Sequence, residues 1–249
     1  MTVFPPGSVA GAVLSAARGD RPALLDLAAG SAHTHRELAE VVAGAAGGLV
    51  RRGARPGQVV GVLTGTTTAQ TLAVHAVMAA DGTAAPLSPD RDPAAVLREW
   101  DARMLIVTPD LAEPALELAD DTPVRQLICI GGAPDCVDFA DLLTGEQDPL
   151  PDIDPVSRLA LVMGREALTH AELLAFMPGL ARLEAADVLL VSGGGRVPVP
   201  LVALALQRGA LVVAAHHATS ELVLQHGVTA IGQDGGTVRQ VTYGRRGAK

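Results

Sequence analysis

The chain has 249 residues, with 27 acidic side chains against 19 basic ones and a formal net charge of −8. No basic cluster exceeds a pair such as Arg51-Arg52 or Arg245-Arg246, which excludes a basic nucleic-acid footprint. Two cysteines, Cys129 and Cys136, exclude a disulfide framework, and no C-x-x-C spacing points to zinc.

Residues 1–20 read as an irregular lead through Pro5, Pro6 and Gly7 followed by a short apolar helix from Val9 to Ala17. Ala23-Leu24-Leu25 precedes a turn centred on Ala29-Gly30-Ser31, the pattern of a hairpin within 22–35. Thr34 stands three residues before Glu37, a capping-box spacing. Leu38, Val41, Val42, Ala45, Ala46 and Leu49 continue at helical spacing, and Gly53 ends the run before a Pro56-Gly57 turn.

An alternation then sets in. Strand-like runs are Val59–Leu63, Ala84–Leu87, Met104–Val107, Gln126–Ile130, Leu159–Met163, Val188–Val191 and Ala210–Ala214. Helical patterns lie at Ala69–Ala80, Pro93–Asp101, Leu111–Ala119, Thr169–Leu183, Pro198–Gln207 and Ser220–His226. The strands are short and continuously apolar, as strands covered on both faces are, so the expected class is α/β with layered, doubly wound, mostly parallel sheets. Asp148–Pro155 is Pro/Asp-rich and marks a possible subdomain break within a domain spanning 1–234. The Gly- and Arg-bearing stretch 235–249 is expected to be a flexible tail.

Several segments, in order and spacing, resemble the adenylate-forming superfamily, which includes acyl-CoA synthetases and nonribosomal adenylation domains. Thr34-His35-Arg36-Glu37-Leu38, then Arg52-Gly53-Ala54-Arg55-Pro56-Gly57-Gln58-Val59-Val60, look like its early helix, "G-x-x-P-G-D-x-V" turn and strand. Ala76 to Leu87 looks like its "A-x-x-x-A-G-x-x-x-x-P-L" helix–strand pair. Ala102–Val107 looks like the next strand, and Leu168-Thr169-His170-Ala171-Glu172-Leu173 like its "L-T-H-x-N-L" helix start. Leu206-Gln207-Arg208-Gly209-Ala210 and His226-Gly227-Val228-Thr229 look like later elements. The resemblance runs from about residue 8 to 232 and implies that family's large N-terminal domain.

The departures carry more information. The resemblance implies a Ser/Thr/Gly-rich phosphate loop with a lysine between the strand at Leu159–Met163 and Leu168-Thr169-His170; such a loop holds triphosphate with N–H groups, hydroxyls and an ammonium. Here only Gly164-Arg165-Glu166-Ala167 stands there, without a hydroxyl and with a carboxylate that repels phosphate. Ser192-Gly193-Gly194-Gly195-Arg196 replaces the family's aromatic-His segment, and the chain stops before the expected adenine-binding part and the small C-terminal domain. The one lysine is Lys249, the last residue, so neither lysine role of the family is filled. ATP-dependent ligation by the family mechanism, and with it a nucleotide cofactor, is therefore not expected.

Ser192, Gly193, Gly194, Gly195 and Arg196 close a predicted strand, where glycines let backbone approach a ligand; they read either as a pocket wall or as a turn. His216, followed by His217, closes the next strand, and Asp234 in Gly232–Gly236 falls near the implied acyl pocket. Thr64-Gly65-Thr66-Thr67-Thr68 follows a strand and opens a helix, a setting either for a helix cap or for an anion held by N–H groups of Thr66 to Thr68. His33 and His35, two apart on a predicted strand, share one face, but no third metal ligand accompanies them. His75 lies mid-helix among apolar residues, expected semi-buried; Cys129 is expected in the core and Cys136 near the surface. No catalytic constellation and no metal site emerge.

Three functional readings follow. The first is a truncated, non-adenylating homologue that binds a small acyl or aromatic molecule, or serves a protein partner in a biosynthetic pathway, with a homodimer covering bared surface. The second is an enzyme with repurposed acid–base or cyclisation chemistry at Ser192, Arg196, His216 or Asp234. The third is one half of a split AMP-forming ligase, against which the missing loop argues. No apolar run approaches ~18 residues and no basic segment precedes the N-terminal apolar stretch, so a cytoplasmic protein without membrane or nucleic-acid partners is expected.

Overall fold

The computed structural model describes residues 4–14, 19–145, 149–193, 197–232 and 237–241. After α1 (Val9–Leu14), a hairpin of β1 (Pro22–Asp26) and β2 (Ser31–Thr34) opens the first sheet. α2 (His35–Arg51) then leads into the second sheet through β3 (Val59–Leu63), α3 (Thr67–Ala79), β4 (Thr83–Pro86), α4 (Pro93–Glu99), β5 (Met104–Val107), α5 (Ala112–Asp120), β6 (Gln126–Cys129) and β7 (Val137–Asp138). β8 (Leu159–Met163) and β9 (Glu166–Thr169) complete that sheet, in the order β7-β6-β5-β3-β4-β8-β9. The chain returns through α6 (His170–Phe176) to the first sheet, adding β10 (Val188–Ser192), α7 (Val199–Arg208), β11 (Leu211–Ala215), α8 (Ser220–Gln225), β12 (Ala230–Gly232) and β13 (Val238–Gln240). Its order is β13-β12-β10-β11-β1-β2. Within each sheet the pairings are parallel except at β2, β9 and β13, each antiparallel to its neighbour.

The apolar strands have helices on both faces. Val60, Val62 and Ile106 of the second sheet and Leu189, Val191 and Val212 of the first face one shared core that holds α1, α2, α3 and α7. The alternate residues Val59, Leu63, Leu105 and Val107 turn outward to Leu97 of α4 and Ala112 and Ala115 of α5. On the far side of the first sheet, Leu190, Val213 and Ile231 pack under Leu222 and Val223 of α8. The result is five layers, with helices shared between two stacked sheets, and the strand period of two divides each strand between two cores.

α3 lies in the shared layer, and all thirteen of its residues are buried. Two of its polar side chains turn back onto the helix: Thr71 Oγ1 donates to Thr67 O at 2.8 Å, and His75 Nδ1 lies 2.8 Å from Thr71 O. His75, expected semi-buried, is only 1% exposed because sheets cover both sides of its helix. With few aromatics available, Ala, Val and Leu fill this layer and allow close helix approach. Gly48 of α2 lies so near the Leu142 backbone that a Cβ would overlap it.

The capping box is present: Thr34 Oγ1 accepts from Glu37 N–H at 3.2 Å, and Glu37 accepts from Thr34 N–H at 2.8 Å. The same motif starts α6, with Thr169 and Glu172. The helix expected over Thr169–Leu183 is shorter. Glu166–Thr169 pairs as β9, and α6 gives way at Met177 to a 3-10 turn containing Pro178. Residues 149–158 lead into β8, which sits beside β4 in the same sheet as β3. The stretch expected to be a tail contributes β13, antiparallel to β12; residues 235–236 and 242–249 lie outside the described residues.

Candidate functional site

The parallel strands β12, β10, β11 and β1 end at one edge. Ser192 is in register with Ala215, and Val191 and Asp26 both pair with Ala214. Ser192 and His216, one residue past Ala215, therefore come to adjacent strand ends. Ser192 and Gly193 are half-buried, and His216 and His217 are exposed. Gly193, directly after β10, takes φ +113°, a backbone conformation that favours glycine. Of the other predicted site residues, Gly194, Gly195, Arg196 and Asp234 lie outside the described residues.

The strand ends of the second sheet meet this edge at α3. Asp26 closes β1 and is 1% exposed. Its Oδ2 accepts from Thr68 N–H at 2.9 Å, and its Oδ1 accepts from Ala28 and Ala29 N–H at 3.1 Å each. Ser31 Oγ and Thr68 Oγ1 lie 3.2 Å apart beside this contact. Thr66 Oγ1 accepts from Ala69 N–H, and Gly65 N–H donates to Thr108 Oγ1 at 2.8 Å. The helix start read as a possible anion site thus already carries an internal carboxylate, and the cap reading of Thr64–Thr68 is the correct one.

Between β8 and β9 the chain makes a two-residue hairpin. Met163 pairs with Glu166, leaving Gly164 and Arg165 as the turn, with φ +71° at Gly164. Met163 to Glu166 are all exposed. The turn is too short to wrap a triphosphate, and it sits where the resemblance implies the phosphate loop.

The His33/His35 face is corrected. His33 is in β2, but His35 is the first residue of α2 and buried, because Thr34 ends the strand as the helix cap. Among the described residues no group of three or more His, Cys, Asp or Glu is placed to hold a metal ion. Cys129 is buried in the core and Cys136 half-buried. Burial, with Cys136 and the acidic Asp138 and Asp110 nearby, pushes the Cys129 thiol up to about 11, so it stays protonated and unreactive at neutral pH.

Sequence reasoning missed two buried carboxylates. Asp26 is the carboxylate at the α3 start; its signal was an acidic residue closing an apolar strand. Asp81 follows α3 at φ +60°, is 2% exposed, and lies 3.3 Å from an Arg158 guanidinium nitrogen. Burial raises its carboxyl pKa, and Arg158 pulls it back down. At the opposite, N-terminal edge of the second sheet, an open depression is lined by Arg98, Arg103, Arg125, Asp101, Asp120 and Asp121. Its guanidiniums are engaged by the Asp101 carboxylate and by the carbonyls of Asp121, Thr122 and Val124, so it is a self-satisfied network.

The architecture defines a class: an α/β protein of two stacked, mostly parallel sheets with a shared helical layer and strand ends gathered along one edge. The chain belongs to the family described as AMP-binding enzyme, whose model matches residues 13–177. In fold it is similar to a long-chain-fatty-acid-CoA ligase of Archaeoglobus fulgidus, with a TM-score of 0.79 and 21% identity over 91% of this chain and 51% of that one. MbtA of Mycobacterium smegmatis gives 0.78 and 24% over 93% and 49%. The amide bond synthetase McbA of Marinactinospora thermotolerans gives 0.76 and 18% over 90% and 48%. The chain spans about half the length of each of these proteins. A comparison with curated proteins found no match. Among the described residues no helix is long and apolar enough to cross a membrane.

Proposed function

We propose that this chain is a non-adenylating member of the AMP-binding enzyme family that binds a small acyl or aromatic carboxylic acid at the C-terminal edge of the first sheet. The observation that carries the reading is the two-residue Gly164-Arg165 turn. A triphosphate needs several converging N–H groups, hydroxyls and a cation. The turn supplies a single arginine, with the Glu166 carboxylate beside it and no lysine anywhere before Lys249. Asp26 supports the reading from the other side, since its carboxylate already takes the Thr68 N–H that an anion would use. The Archaeoglobus protein is named for a long-chain fatty acid, which supports an acyl group as the ligand here.

The test is a thermal-shift series with ATP–Mg, AMP and a panel of aryl and acyl acids, together with a pyrophosphate-release assay. A ligand at 100 times its Kd adds about 2.7 kcal/mol of stability. The expected result is a shift with an acid and none with ATP–Mg. Pyrophosphate release dependent on any carboxylic acid would overturn the proposal.

One observation favours a second reading, acid–base chemistry at the same edge: Ser192 ends β10 in register with Ala215, and His216 is the next residue beyond the end of β11. An acid that is consumed or rearranged without nucleotide, with loss of turnover in His216→Ala, would replace the binding role with this one.

A further inference from the structure

Val9 opens α1, so its N–H has no acceptor within its own helix. That N–H donates instead to Nδ1 of His170 at 3.1 Å, across 161 residues of sequence. His170 opens α6 and is fully buried. An imidazole nitrogen that accepts a hydrogen bond carries no proton, so the neutral ring holds its proton on Nε2, which has no partner among the described residues. α1 turns Val9, Ala10, Val13 and Leu14 into the shared core and packs against α2, α3, α6 and α7.

We propose that the His170–Val9 hydrogen bond is a pH-operated latch: protonation at Nδ1 turns the acceptor into a donor facing another donor, and frees α1 from α6 in mildly acidic solution. The reading is independent of the function proposed above. Among the described residues no charge of either sign shifts the ring. The described lead and α1, Phe4–Leu14, carry no ionisable side chain, and neither does β8 or the Met177–Gly179 turn. Arg158 precedes β8, Glu166 is on β9, and Glu172 on α6 is held by Thr169. Burial alone lowers the His170 pKa to about 4. His75, the other histidine of the shared layer with a lowered pKa, behaves differently. Its Nδ1–H donates to Thr71 O, and protonation at Nε2 leaves that bond intact.

A ring that titrates near 4 when latched and near 6.5 when free raises the opening equilibrium about twentyfold between pH 7 and pH 5. The experiment is hydrogen exchange on the full chain at both pH values, corrected for the intrinsic pH dependence of exchange. Protection of the Val9–Leu14 amides should fall about twentyfold at pH 5 and lie below that of β5 and β10 at both pH values, because α1 opens without global unfolding. In His170→Asn, whose amide oxygen replaces Nδ1 as a non-titrating acceptor, the protection should not change with pH. Unchanged protection in the wild type, Val9–Leu14 protection equal to that of β5 and β10 at both pH values, or the same fall in His170→Asn would overturn the latch. Should His170→Asn fail to fold, nitrogen-15 histidine spectra of the wild type decide. The latch requires the Nε2–H tautomer at pH 7 and titration of His170 together with loss of the Val9 amide protection; the Nδ1–H tautomer refutes it.

Discussion

The Asp26 carboxylate, ending a strand of one sheet, accepts the Thr68 N–H at 2.9 Å and so ties that sheet to the helix that follows a strand of the other. It also holds the Ala28 and Ala29 N–H groups. Truncation would strand the buried Thr68 N–H, release the Ala28 and Ala29 N–H groups at the surface turn, and remove the negative charge from the start of a thirteen-residue helix. Asp26→Ala is expected to cost about 2–4 kcal/mol in urea unfolding. A loss below about 0.5 kcal/mol, the size of an ordinary surface change, would show that the contact does not hold the sheets together.

Two neighbouring glycines of α2 should respond oppositely. Alanine favours a helix over glycine by about 1 kcal/mol. At Gly47 a new Cβ meets only Arg51 Nη1 at 3.3 Å. That guanidinium is anchored through Nη2 to Leu142 O and Thr144 O and needs to give by only a few tenths of an ångström, so Gly47→Ala should be neutral or stabilising. At Gly48 it meets the Leu142 backbone, which cannot move aside. Gly48→Ala should lose about 1–3 kcal/mol despite the helix gain. Thermal melts of the two variants side by side check the contrast.

At the sheet edge, His216 is exposed and Ser192 half-buried, with no role in the core. His216→Ala and Ser192→Ala should each leave unliganded stability within about 0.5 kcal/mol of wild type. Each should weaken the acid-induced thermal shift. A full shift retained in both variants would move the ligand away from this edge.

Acid should weaken the fold. Burial lowers the pKa values of His75 and His170, so the unfolded chain binds more protons as pH falls below 6.5. The His170 contribution is complete above pH 6.5 and is lost toward about pH 4, where it accounts for about 2–3 kcal/mol, and His75 acts in the same direction. Asp81 has the opposite sign. Its raised pKa makes the folded state hold the proton longer, so its penalty grows as pH rises from 3.8 and is complete above its folded pKa. Urea midpoints at pH 7, 6 and 5 should therefore fall steadily. The slope should be shallower in His170→Asn.

Much of the layering was legible because it rests on local pattern. Val59–Leu63, Met104–Val107 and Leu159–Met163 form strands with the boundaries read from their apolar runs. The Thr34/Glu37 pair caps its helix as its spacing requires. β7, β9 and β13 were missed because short edge strands such as Glu166–Thr169 carry no continuous apolar run; their neighbours recruit them. His35 was placed on a strand because alternation alone does not say where a cap ends it.

Local composition and spacing were sufficient for the α/β class, the shortened connection at Gly164-Arg165 and the absence of an internal lysine, because each is a property of adjacent residues. Folding had to bring Asp26 to Thr68, His170 to Val9, Asp81 to Arg158 and Ser192 beside His216. These partners are separated by 42, 161, 77 and 24 positions, and no short-range rule links them. Asp81 shows the two levels meeting: it stands at the glycine of the family's helix–strand pattern and adopts the left-handed φ a glycine would take. Its burial beside Arg158 follows from the packing of β8 against β4.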